Sequence, residues 1–201
     1  MSKIGDLCRL LCLGAMGSLM AAGAAVAADC ATYAKQAERD YEIPAGLVQA
    51  IAQVESGHKP WALAIGGRTL VPDSREEAAR VVRSRPAKGI FVGCMQLSVK
   101  HHEAAFDNKL AMLDPEENVD YGAQLLVQLQ EATGSWTKAV QRYQGGRPEQ
   151  QRRYVCKIVS KLKDINPESP ALDELPSCGA KAAARRQAVA KPPAEDALPT
   201  F

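Results

Sequence analysis

The chain has 201 residues, of which 24% are charged, and a formal net charge of +2. That length allows one domain of ordinary size with tails and a substantial core, and the near balance of well-mixed charges removes the electrostatic case for a nucleic-acid partner. Aromatic residues make up only 5% of the chain, and no block of interleaved basic and aromatic residues offers a groove for a single strand.

Residues 1–28 read as a signal peptide. Lys3 and Arg9 flank the start of an uncharged run from Leu10 to Ala28, which ends in Ala25-Val26-Ala27-Ala28, small residues that suit signal peptidase. A retained anchor is the alternative, but the Ala and Gly content makes the run weakly hydrophobic. The expectation is export to the periplasm, with no stable membrane insertion after cleavage. Asp29 in front of Cys30 argues against lipid modification there. Cys8 and Cys12 leave with the signal, and Cys30, Cys94, Cys156 and Cys178 remain in an oxidising compartment. Two disulfides follow, with three connectivities open. There is no Cys-x-x-Cys pair, and His58, His101 and His102 lack the spacing of a zinc helix. Neither a metal nor another cofactor is expected.

The folded domain is expected over 29–166. Ala31, Ala34, Ala37 and Tyr41 recur at helical spacing, and a second helix is predicted to begin at Pro44 and stop at Gly57. Ala62–Ile65 and Arg68–Val71 flank Gly66-Gly67, a hairpin signal. Ser74-Arg75-Glu76-Glu77 reads as a capping box for a short helix to Ser84, and Ile90-Phe91-Val92 as a third short strand. A helix through Phe106 follows. Asp114-Pro115-Glu116-Glu117 opens another, with Val119, Ala123 and Leu126 inward. Ser135 caps a helix with Ala139, Val140 and Tyr143 on its inner face, ended by Gly145-Gly146, and a last helix spans about Glu149 to Leu162. Residues 167–201 shift to Pro, Ala, Lys and Arg, and 179–201 hold too little large apolar surface to offset ordering entropy, so this tail is read as largely disordered.

The most informative side chain is Glu55. Leu47, Ile51 and Glu55 fall at i, i+4 and i+8, so a carboxylate closes an apolar helical stripe. Partial desolvation there raises its pKa, as proton donation near neutral pH requires. The plainer alternative is a helix-end Glu turned into water.

Four segments in this order resemble the lytic transglycosylases of the soluble-lytic-transglycosylase, lysozyme-like superfamily. They are Ile43–Leu47 leading to Ala52-Gln53-Val54-Glu55-Ser56-Gly57; Val92-Gly93-Cys94-Met95-Gln96-Leu97; Asp114–Val119; and Ala139–Gly145. The small secreted members that accompany conjugation, pilus and secretion machines are the most similar. The resemblance implies an α+β, mainly helical, lysozyme-like fold with a small antiparallel sheet and a glycan-binding cleft. It makes Glu55 the sole catalytic carboxylate. It places Ser56, Met95, Gln96 and Tyr143 at the substrate, with the Tyr143 hydroxyl beside the acid. It also implies peptidoglycan as the partner and, through the secreted members, components of a type IV or type III secretion, conjugation or pilus machine. Some members of this type carry a cysteine at the position of Cys94 together with one near the mature N-terminus, which favours Cys30–Cys94 and leaves Cys156–Cys178. Gln144 departs from the Asn common in the motif, and the loop from His58 to Ile90 is longer than in the smallest members.

Glycosidases that hydrolyse ordinarily use two carboxylates. Asp73 is the nearest acidic candidate in the strand region, yet a helix cap is the better reading of it. A lone acid fits the anhydro-forming chemistry of the resemblance. Each companion also has a plainer reading: Tyr143 as a core tyrosine, Ser56 as a helix-end hydroxyl, Met95 as core filler. Trp61 and Trp136 read as core anchors before sugar platforms, His101-His102 as a solvated helix start, and Arg68 as hairpin surface. A hydrolytic muramidase and a non-catalytic peptidoglycan-binding subunit are the rival functions.

Overall fold

The computed structural model describes residues 29–178. The expected signal peptide at 1–28 and the part of the tail at 179–201 lie outside the described residues.

Helices α1 (Cys30–Asp40) and α2 (Leu47–Ser56) open the domain. Asp29 caps α1 by accepting from the Thr32 N–H. In α2, Leu47, Val48, Ala50, Ile51 and Ala52 are all buried. A helix that is apolar nearly all round belongs in the interior, and α2 packs between α1 and the long later helix α7 (Pro148–Ile165). Pro44 does not begin α2. Residues 44–46 form a turn closed by the Leu47 N–H on the Pro44 carbonyl, with Gly46 at φ 91°. The reason is long-range: buried Glu38 of α1 accepts from the Gly46 N–H (2.8 Å), the Gln49 N–H (3.0 Å) and Gln49 Nε2 (2.7 Å), so α2 is capped by another helix.

The sheet forms where the hairpin and third strand were expected. Strands β1 (Leu63–Ile65), β2 (Arg68–Leu70), β3 (Ile90–Val92) and β4 (Leu97–Ser98) lie in the order β2-β1-β3-β4, all antiparallel. Gly66 and Gly67, at φ 56° and 80°, supply the two positive angles that a two-residue hairpin loop demands. Between β2 and β3, α3 (Arg75–Arg83) is capped by Ser74, whose Oγ accepts from the Glu77 N–H. Glu77 in turn accepts from the Asp73 N–H. Asp73 therefore lies just outside the cap and is exposed.

The helix expected through Phe106 is shorter, α4 (Val99–His102) followed by a 3₁₀ turn over Glu103–Ala105. His102 ends this helix instead of starting it, half-buried with Nδ1 3.0 Å from the Tyr121 hydroxyl. Then come α5 (Pro115–Thr133), capped by Asp114, and α6 (Trp136–Gln144), capped by Ser135. α5 packs on α1 and α6, and α7 closes against α2 and α6.

The fold runs past the expected boundary at residue 166. A short helix α8 (Ala171–Glu174) follows, with Ser169, Ala171 and Leu175 buried. The disulfide Cys156–Cys178 fixes this segment to α7, and Cys30–Cys94 joins α1 to the turn after β3, with Cα–Cα separations of 5.3 and 5.5 Å. Among the described residues no helix is long and apolar enough to cross a membrane.

Candidate active site

Glu55 occupies the last turn of α2, which ends at Gly57 with φ 64°. The part of α2 before it buries Leu47, Val48, Ala50, Ile51 and Ala52, so this carboxyl leaves the core half-buried. Burial raises its pKa to about 7, against the opposing influence of a hydrogen bond from Tyr154 and the positive charge of Lys157. The C-terminal end of a helix also disfavours an anion.

Tyr154 is the partner that inspection of the sequence missed. Its hydroxyl donates to Glu55 Oε1 at 2.5 Å from the first half of α7. Burial and the nearby Glu55 charge push the Tyr154 hydroxyl well above the usual phenol range, so it stays a donor. A signal was present: Tyr154, Ile158 and Leu162 fall at i, i+4 and i+8, the spacing that singled out Glu55.

Tyr143 is close to the acid without bonding to it. Its hydroxyl donates to the Met95 carbonyl at 2.9 Å. Burial, then the charges of Glu55 and Tyr121, raise the Tyr143 pKa well above that of a free phenol.

Residues 93–96 form a strained turn that ties the sheet to α5. The Gln96 N–H closes it on the Gly93 carbonyl, and Gly93 donates to the Ala62 carbonyl. Gln96 sits at φ 48°, a conformation that side-chain-bearing residues rarely adopt. Its Nε2 donates to the carbonyls of Ala62 (3.0 Å) and Gly93 (2.9 Å). Two carbonyl neighbours fix the amide's orientation and turn Oε1 away from them, and among the described residues Oε1 accepts no hydrogen bond. Buried Asn118 of α5 braces the same turn: Oδ1 accepts from the Met95 N–H, while Nδ2 donates to the carbonyls of Val92 and Met112. A Cβ on Gly93 would stand 2.3 Å from Asn118 Nδ2, which is why glycine occupies that position.

Met95 is fully buried, packed on Gly122, and both of its backbone groups are bonded inside the protein. It offers nothing to a sugar and serves instead as the seat of Tyr143. The Ser56 hydroxyl donates to the Ala52 carbonyl one turn back, so it is engaged within its own helix. Trp61 and Trp136 are half-buried against the core, and Arg68 is exposed on the hairpin. A cavity of about 390 Å³ between α1, α2 and the end of α7 has none of the expected site residues on its wall. Among the described residues no group of three or more His, Cys, Asp or Glu side chains is placed to hold a metal ion.

The family model for the transglycosylase SLT domain matches residues 32–157, a span that contains Glu55, the 93–96 turn, Asn118, Tyr143 and Tyr154. The chain belongs to the transglycosylase SLT family. Its mainly helical architecture with a four-stranded antiparallel sheet is the lysozyme-like fold of that family. SLT domains act on peptidoglycan by lytic-transglycosylase-type cleavage. Neither the curated proteins nor the solved structures compared with this SLT protein give a match.

Proposed function

We propose that this SLT protein is a lytic transglycosylase that breaks the β-1,4 bond between N-acetylmuramic acid and N-acetylglucosamine and leaves a 1,6-anhydro-muramyl end. The observation that carries this reading is a half-buried carboxyl, Glu55, raised to about 7 and held by the Tyr154 hydroxyl inside the span that matches the transglycosylase SLT domain. Hydrolysing glycosidases ordinarily add a second carboxylate for the far face of the sugar, whereas the anhydro-forming reaction needs one acid that serves as both donor and base.

Protonated Glu55 donates to the glycosidic oxygen as the C1–O bond breaks. The resulting carboxylate takes the proton of the muramyl 6-hydroxyl as O6 closes on C1. The proton taken up equals the proton given, and no water is consumed. With its pKa near neutrality, both forms of the acid are populated at working pH. Tyr154 holds Oε1 in place and favours the carboxylate once it forms. Tyr143 and Asn118 position the 93–96 turn from below. Gln96 Oε1 is the acceptor for the N–H of an N-acetyl group.

The cellular reading is that the chain is exported to the periplasm by its 1–28 signal and opens the wall locally for an envelope-spanning secretion, conjugation or pilus machine. Two disulfides, which persist in oxidising compartments, support the export.

The test is digestion of purified peptidoglycan and weighing of the fragments. Anhydro-ended products, lighter by one water than hydrolysis products, are expected, and Glu55→Gln should yield none while melting as a folded protein. Hydrated ends would make the enzyme a muramidase, and activity retained by Glu55→Gln would remove the assignment.

A further inference from the structure

The helix α3 and its following loop carry charge that the reaction at Glu55 does not use. Between Ala78 and Ile90 stand Arg80, Arg83, Arg85 and Lys88 with no acidic residue. All four are exposed, and so is Arg68 at the hairpin. Among the described residues the ion pairs lie elsewhere, within α7, so these cations have no carboxylate partner there. The acids of α3, Glu76 and Glu77, occupy its opposite end.

The fold gathers these cations at one place. The Gly66 N–H donates to the Gly89 carbonyl at 3.2 Å, which joins the hairpin tip to the loop holding Lys88. Lys109 Nζ donates to the carbonyls of Val82 and Arg85 at the end of α3, adding a further positive charge. This tip is the far end of the sheet. Its near end, where Leu63 pairs with Val92, adjoins Gly93 and Gln96; its far end, where Ile65 pairs with Ile90, leads to Lys88 and Arg68. Two residue steps along a strand are about 7 Å.

In intact peptidoglycan each muramyl lactyl group is tied up as an amide to its stem, so the glycan strand itself is neutral. The anionic parts of peptidoglycan are the carboxylates of the peptide stems on its muramyl units. We propose that Arg68, Arg83, Arg85 and Lys88 bind the stem carboxylates of the strand that lies at Glu55, so that this protein prefers stem-bearing to stripped glycan. The inference rests on peptidoglycan as the substrate of the site. Guanidinium and ammonium groups at a rim act on anions at a distance and lose their hold in salt.

The experiment measures binding, in the full chain carrying Glu55→Gln, to soluble peptidoglycan strands and to the same strands after an amidase has removed the stems and the lactyl carboxylates so freed have been coupled to methylamine as neutral amides. Stem-bearing strands should bind about fivefold or more tightly at low salt. Adding Arg83→Glu with Lys88→Glu, two exposed positions, should erase that preference, as should 1 M salt. Equal binding of both strands, or an equal loss on both after charge reversal, overturns the proposal. Capture by anionic lipid vesicles without stem preference also overturns it, in favour of a membrane surface. Wild-type digestion run in parallel separates the two ideas: failure to cleave either strand removes the proposed activity, whereas cleavage without stem-dependent binding removes only this inference.

Discussion

Tyr154 and Glu55, 99 residues apart in the chain, share a hydrogen bond of 2.5 Å that joins the last turn of α2 to α7. The phenol donates to the carboxylate and so opposes the desolvation that raises the Glu55 pKa. Tyr154→Phe removes that opposition. A hydrogen bond to a charged group contributes about 1.5–3 kcal/mol, and 1.36 kcal/mol is about one pH unit. Cleavage by the wild type should fall as pH rises through about 7, where Glu55 loses its proton. In Tyr154→Phe that limb should move upward by about one unit, with a lower maximal rate. An unmoved limb in the pH–rate profile would show that Tyr154 acts only by packing.

Glu55 also makes stability depend on pH, with a sign opposite to that of a salt-bridged acid. Its folded pKa, about 7, lies above the unfolded value of 4.5. Between those values the native state binds more protons than the unfolded state, so stability falls as pH rises from 4.5 to 7 and levels off above. Glu55→Gln cannot titrate. Its advantage over the wild type should be absent below the window and grow through it to about 1–3 kcal/mol. Denaturant unfolding of both proteins at pH 4.5 and pH 8 checks this, and a constant difference would refute the raised pKa.

Much of the fold could be read locally because its signals are local. Ser74, Asp114 and Ser135 cap the helices they precede, and Gly66-Gly67 turns the hairpin. What could not be read is set by distant partners. Glu38 captures the amides of Gly46 and Gln49, so α2 starts three residues after Pro44. Residues 167–178 are interrupted by Pro167, Pro170 and Pro176 and look like the start of the tail, yet Ala171 and Leu175 are buried and Cys178 is fixed to Cys156. Glu55 was legible from its stripe. Its partner was not, because a hydroxyl at the end of an inward stripe looks like core packing until α2 and α7 are brought together.

Asn118 offers a test of how the 93–96 turn is held. It is fully buried and satisfies Met95 N–H, Val92 C=O and Met112 C=O at once. Asn118→Leu leaves those backbone groups unpaired in the interior, at a cost of about 2–4 kcal/mol. Because the turn presents Gln96 and its Met95 carbonyl seats Tyr143, activity at a temperature where the variant is still folded should fall as well. Thermal melting and fragment release together read both losses. Full activity in a destabilised Asn118→Leu would show that the turn keeps its form without this brace.

The two disulfides should differ in what they protect. Cys30–Cys94 spans 64 residues and Cys156–Cys178 spans 22. Loop entropy then assigns them about 4 and about 3 kcal/mol. The difference in stability is small, but the places they hold are not alike. Cys94 lies inside the 93–96 turn, between the glycine packed on Asn118 and the methionine whose carbonyl holds Tyr143. Cys178 anchors only the segment beyond α7. Replacing Cys30 and Cys94 by Ser should therefore lower both the melting temperature and the rate measured well below it. Replacing Cys156 and Cys178 should lower the melting temperature while leaving the rate near that of the wild type. Equal losses of rate in the two variants would mean that the turn draws its shape from the whole domain and not from its tie to α1.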